Sequence, residues 1–294
     1  MNIPRYWAKG TSDKPEPVTH PHSGATIHDL SCWGWSASSE EEARACGVEL
    51  ANALHARFER GDVPTNYYGY PDRPMREEIL DEWTDDSESL FAVVTRNGYG
   101  CQVLNTATIM FIDVDLPPPK AMTLTQIIGR IFGGKRPETA DDIEKAALDK
   151  VRRMVKRDPE LSLRAYRTAA GLRYLVTHAH RSPTTEESHA MMEALGADPL
   201  YMRLCKVQQC FRARLTPKPW RCDHKALPYR FPYTDDHTNK AVRDWVESYT
   251  QASTPYATCE FVHHYGSKHM DEEIQRVVST HDDMTGAHSG RPLA

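Results

Sequence analysis

The stretch Ile109-Met-Phe-Ile-Asp-Val-Asp115, with Pro117, Pro118 and Pro119 close behind it, constrains this chain more than any other. An apolar run that ends in two aspartates one residue apart reads as a buried strand whose end reaches solvent. Side chains alternate along a strand, so Ile109, Phe111, Asp113 and Asp115 share one face, and Met110, Ile112 and Val114 share the other. The prolines lack the N–H that a ladder needs, so pairing must stop there. Two neighbouring carboxylates repel each other. A divalent ion such as Mg²⁺ or Mn²⁺, which takes one or two carboxylates together with substrate phosphates, relieves that repulsion. The plain alternative is a pair of solvated aspartates at the end of a strand.

A chain of 294 residues has material for one large domain or two small ones. No apolar run approaches the roughly 20 residues of a membrane helix, and Met1–Trp7 lacks the apolar core of a signal peptide. Seven scattered cysteines point to free thiols in a reducing cytoplasm. A net charge of −5 argues against a wholly electrostatic nucleic-acid binder, yet leaves room for a local basic groove. No Gly-x-Ser-x-Gly elbow is present, which argues against serine-hydrolase chemistry.

Residues 1–37 read as irregular, anchored by Tyr6, Trp7, Trp33 and Trp35. Ser38-Ala-Ser-Ser-Glu-Glu opens a helix whose stripe is Ala43, Cys46, Leu50, Leu54 and Phe58. Tyr67–Pro71 reads as a turn and Arg76–Trp83 as a second helix. Leu90–Thr95 and Gln102–Leu104 form a hairpin around Asn97-Gly98, and the aspartate strand follows as a third antiparallel member. Residues 117–138 read as an insertion with a basic tip at Gly133–Arg136. Thr139 caps a helix to about Arg157, whose last turns carry Lys150, Arg152, Arg153, Lys156 and Arg157. Those cations either complement the helix dipole or form a phosphate-contacting face. Leu163–Thr168 and Leu172–Thr177 are strands joined by Ala169-Ala-Gly171, and Thr184 begins a helix ending at Leu195-Gly196. Further helices at about 239–249 and 271–280 flank a strand near Cys259–His263. The expected class is α+β, an antiparallel sheet covered by helices on one face.

Between Pro199 and Cys222 lie Arg203, Lys206, Arg212, Arg214, Lys218 and Arg221, with no acidic residue. Arg212 and Arg214 fall on one side of an extended strand, where guanidinium forks suit phosphate. Trp220 offers an aromatic face for a base or sugar. Cys205, Cys210, Cys222 and His224 carry metal-ligating chemistry, but their spacing is not that of a standard zinc finger, and buried thiols are the simpler account.

The order Asp113-Val-Asp115, Thr168-Ala-Ala-Gly-Leu-Arg173, Asp198 and Phe211-Arg-Ala-Arg-Leu-Thr-Pro-Lys-Pro-Trp220 resembles the archaeo-eukaryotic primase superfamily, most closely the polymerase domains of bacterial end-joining DNA ligases. The resemblance covers about residues 90–225 and implies an RRM-like core there. Residues 1–89 would then be an N-terminal helical or irregular layer, and 226–294 a C-terminal helical extension. It implies a nucleotidyltransferase that extends DNA or RNA from nucleoside triphosphates, with Asp113, Asp115 and Asp198 holding Mg²⁺ or Mn²⁺. Thr168, Arg173, Arg212 and Arg214 would contact nucleotide phosphates, and Lys218 the departing pyrophosphate. Arg173 stands where the family has a phosphate-contacting histidine. That departure leaves two alternatives open: a nucleotide- or nucleic-acid-binding protein without turnover, and a metal-dependent phosphodiesterase or nuclease.

Overall fold

The computed structural model describes residues 1–20, 22–62, 73–117 and 139–294. The expected turn at Tyr67–Pro71 and the basic tip at Gly133–Arg136 lie outside them. The chain begins with strands rather than irregular coil. β1 (Tyr6–Thr11) pairs antiparallel with β4 (Ser31–Ser36), and between them β2 (Val18–Thr19) and β3 (Thr26–Ile27) form a short hairpin. The first helix, α1 (Glu40–Glu59), starts at the expected cap, where the Ser39 side chain accepts from the Glu42 N–H. Its buried face is not the large apolar stripe but Ala43, Gly47, Ala51 and His55. The reason is proximity: a Cβ on Gly47 would sit 2.5 Å from the Gly10 nitrogen of β1. Small residues let the helix axis drop onto the β1–β4 pair, and the larger side chains are left at the flanks.

The expected helix at Arg76–Trp83 is instead a strand, β5 (Glu78–Thr84), paired with β6 (Leu90–Arg96). The register shifts between Ile79 and Asp81, so an extra residue breaks the period of two and disguises the strand as helical spacing. β6 turns through Asn97, whose side-chain oxygen accepts from the Tyr99 and Cys101 amides, into β7 (Gln102–Thr106). The next strand, β8 (Phe111–Asp115), does not add to this sheet as expected. The free side of β7 is taken by β11 (Phe211–Arg214), completing the order β11-β7-β6-β5.

β8 is instead the edge of a second antiparallel sheet with β9 (Leu163–Thr168), β10 (Gly171–Val176) and β12 (Cys259–Tyr265), in the order β12-β9-β10-β8. Both sequence boundaries of the expected core therefore cut through sheets, since β5 lies before residue 90 and β12 after 225. Helices cover both faces of this second sheet, not one. On one face α2 (Ala140–Arg157) ion-pairs Glu144 with Arg167, while α3 (Glu186–Leu195) buries Met192 and Leu195 in the same core. On the other, α6 (Glu272–Thr285) sets His281 against the rings of Phe111 and Tyr166, and its Arg276 lies over Trp83 and Phe91 of the first sheet. Adjacent residues on a strand face opposite ways, which is how Tyr166 and Arg167 meet different helices.

α4 (Pro199–Gln208) lies between β8 and β11 in the chain and links the two sheets. The Tyr201 hydroxyl donates to the Phe111 carbonyl at 2.8 Å and accepts the Arg212 N–H at 3.3 Å. No backbone ladder joins β8 to β11. α5 (Asp236–Ser253) packs Val242, Trp245 and Tyr249 into a small separate cluster with Leu227, and Trp245 sits against Gly100. No helix among the described residues is long and apolar enough to cross a membrane. The α+β class expected from sequence holds, with six helices among the described residues.

Candidate functional site

Register puts the chemistry in place. Across the β8–β10 pair Gly171 faces Asp115 and Arg173 faces Asp113. A side chain at position 171 is impossible without movement, because its Cβ would lie 2.1 Å from the Val114 carbonyl oxygen. Cross-strand neighbours share a face, so Arg173 and Asp113 meet directly. Arg173 donates from Nε to Asp113 Oδ1 at 2.7 Å and from Nη2 to Oδ2 at 3.1 Å. Its Nη1 donates to the Arg214 carbonyl at 2.9 Å and meets His281 Nε2 at 3.4 Å. Arg173 is only 1% exposed. Burial opposes its charge, but the Asp113 carboxylate outweighs that and holds the guanidinium firmly protonated.

The third acidic residue does arrive at the same strand end. The Asp198 N–H donates to the Asp113 carbonyl at 3.1 Å, immediately after α3 closes. The Asp198 carboxylate caps α4, with Oδ1 accepting from Leu200 N at 3.2 Å and Oδ2 from Tyr201 N at 3.1 Å. Asp115, exposed at the end of β8, has its carboxyl pushed up by burial and then by Asp198 and Asp113, with Lys218 and Arg214 opposing. The three expected acids are neighbours, but two of them have both oxygens engaged. As a donor set they do not fit a two-ion centre, and among the described residues no group of three or more His, Cys, Asp or Glu side chains is arranged to hold a metal.

The basic residues separate into two kinds. Arg212 is buried and gives both its bonds to Glu77, at 2.7 and 2.8 Å. Glu77 also accepts from the Thr95 hydroxyl, so this pair braces β11 to the N-terminal side of β5. Arg214 is different: its Nε is buried without a hydrogen-bond partner, and burial and Arg173 lower its proton affinity against the pull of Asp113. Lys218 is lowered by burial and by Arg214 and Arg221, and stands 5.5 Å over the Trp220 ring. Thr168 is the last residue of β9, its hydroxyl accepting from Ala170 N at 3.4 Å, and is not part of the cleft wall. The basic last turns of α2 do not line the cleft either.

That cleft, of about 750 Å³, opens between the β1–β4 layer, the Asn97–Tyr99 turn, α4 and β11. Asp113, Arg214 and Tyr201 line it, as do Arg73, Arg76 and Arg230 together with Trp33 and Tyr99. Arg76 stacks on Trp33 at 4.2 Å. Burial and the neighbouring Arg230 and Arg73 push Arg76 down to about 10. No carboxylate pairs with Arg73, Arg76, Arg214 or Arg230 among the described residues. The sequence reading missed the first, second and fourth of these. The sequence signal was the arginine pair around Pro74-Met75, but it sat in what read as a helix start.

The zinc alternative finds no support in the geometry. Among the described residues no three His, Cys, Asp or Glu side chains are placed to hold a metal, and both ring nitrogens of His224 are engaged, with the Lys225 carbonyl at 3.0 Å and the Ser248 hydroxyl at 3.1 Å. Compared with protein families, curated proteins and solved structures, the chain finds no match.

Proposed function

We propose that this protein binds the phosphate groups of a nucleoside triphosphate, or of a DNA or RNA strand, in the arginine-lined cleft. The observation that carries the proposal is the set Arg73, Arg76, Arg214 and Arg230: four guanidiniums without carboxylate partners among the described residues, on the wall of one cavity. Gathering like charges is unfavourable unless an anion is expected, and phosphate matches the guanidinium fork. Tyr99, about half exposed on the cleft wall, supplies a face on which a base can stack. The primase-like resemblance and its RRM-like core are consistent with nucleotide as the ligand, and seven free thiols are consistent with a cytoplasmic setting. Calorimetric titration with ATP, with tripolyphosphate and with a short single-stranded oligonucleotide tests the proposal. Binding that weakens at least tenfold in Arg76→Ala and Arg214→Ala is expected, and no binding by the wild type sinks it.

A second reading, metal-dependent nucleotidyl transfer or phosphodiester cleavage, draws on the Asp198–Asp113 backbone bond that gathers the three acids. It requires the carboxylates of Asp113 and Asp198 to change partners. Primer extension and cleavage assays with labelled DNA and RNA, with Mg²⁺ and with Mn²⁺, separate it from simple binding.

A further inference from the structure

We infer that Arg173 is a built-in cation for Asp113, standing where a divalent ion would otherwise sit, so that anion binding in the cleft needs no added metal. The inference rests on the cleft assignment above and extends it to the cofactor requirement. Three observations support it. The guanidinium takes both oxygens of Asp113 in a fork, the geometry in which one arginine neutralises one carboxylate. It has no freedom to step aside, because the Arg214 carbonyl and His281 Nε2 fix its remaining edge. His281 in turn is held from behind, its Nδ1 3.3 Å from Asp282, a carboxylate that also takes the Tyr166 hydroxyl at 2.7 Å and Arg164.

Charge counting points the same way. Around the strand end stand the carboxylates of Asp113, Asp115 and Asp198 and the cations Arg173, Arg214, Lys218 and Arg221. The acids are already matched by fixed positive charge. An arriving divalent ion meets no net negative field, and hard ions rely on such a field as well as on open oxygens. Asp198 offers neither of its oxygens without uncapping α4. A phosphate-bearing ligand, by contrast, finds Arg214 on the cleft wall beside Asp113, with no carboxylate partner among the described residues, and needs no bridging ion to approach it.

The experiment uses the full chain and two probes. Mn²⁺ alone is titrated and bound ion read by electron paramagnetic resonance, and tripolyphosphate is titrated by calorimetry in EDTA and again with excess Mg²⁺. The wild type is expected to bind no stoichiometric Mn²⁺ and to hold tripolyphosphate with affinities that agree within about threefold (under about 1 kcal/mol). Arg173→Ala, by freeing Asp113, is expected to gain a Mn²⁺ site. Arg173→Lys keeps the charge, is the milder change should the alanine variant not fold, and is expected to stay indifferent to metal. Stoichiometric Mn²⁺ on the wild type, or tripolyphosphate affinity raised tenfold or more by Mg²⁺, overturns the inference while leaving the cleft assignment standing. Absence of anion binding under every condition overturns the cleft assignment instead, and the Mn²⁺ result still decides whether Arg173 fills the cation position.

Discussion

Three buried titratable groups, Arg212, Glu77 and His281, show what single residues do here. Arg212 and Glu77 are both nearly inaccessible and satisfy each other, so removing one leaves the other charged and unpaired. Arg212→Ala is expected to cost about 3–5 kcal/mol, read as a lower urea midpoint, whereas the double change Arg212→Met with Glu77→Leu should lose far less. Equal losses in the single and double variants would show that the pair is not the brace described. His281 makes a pH prediction. Burial, and next to it Arg173, lowers its ring from the ordinary 6.5 to about 4, although Asp282 and Asp113 pull the other way. Tyr166 and Cys259 complete its surroundings without a charge near neutrality. The unfolded chain therefore takes up a proton on this ring as pH falls through 6.5, while the folded chain does so only near 4. Stability from this residue is whole above pH 6.5 and is lost between there and 4, a change on the order of 3 kcal/mol. Urea midpoints at several pH values should show a flatter acid limb in His281→Gln; an unchanged limb would refute the assignment.

At the scale of elements, Asp198 is a helix cap before it is anything else. Replacing it by alanine should cost about 1 kcal/mol, while asparagine, an equally good cap, should leave thermal stability and anion affinity near wild type. If Asp198→Asn instead abolishes ligand binding, its charge matters beyond the cap. What the sequence revealed of these elements follows the same physics. Long, regular signals were legible: the hairpin at Asn97, the capped helices α2 and α3, and the aspartate strand all lie where alternation and capping residues put them. β5 was not, because its bulge breaks the alternation on which strand recognition depends. The buried face of α1 was misread because close backbone approach selects glycine and alanine, residues that carry little hydrophobic signal. Of the site, the acids were legible by motif. The partnership of Arg173 with Asp113 was not, since it depends on strand register. The arginines at 73, 76 and 230 were not either, because only the fold brings those two chain regions to one cleft.

The whole molecule carries a net charge of −5 and yet concentrates in one cavity four arginines that no carboxylate of the described residues pairs. Binding of a single-stranded oligonucleotide should therefore depend steeply on salt. With four phosphate contacts at about −0.7 each, log affinity against log salt should fall with a slope of roughly −3. Fluorescence anisotropy across a potassium chloride series measures it, and a slope near zero would mean that the cleft does not engage the backbone. Among the described residues, the hydrogen bonds that reach from β8 toward β11 run through the Tyr201 hydroxyl and the Arg173 guanidinium. Phe91, Leu104, Phe211 and Ala213 of one sheet share a single apolar core with Phe111, Ile112 and Leu172 of the other, so these two polar links fix the orientation of a seam that is already packed. Because Arg173 grips Asp113 on one side of that seam and the Arg214 backbone on the other, any ligand that pulls on Arg214 also pulls on the acidic strand.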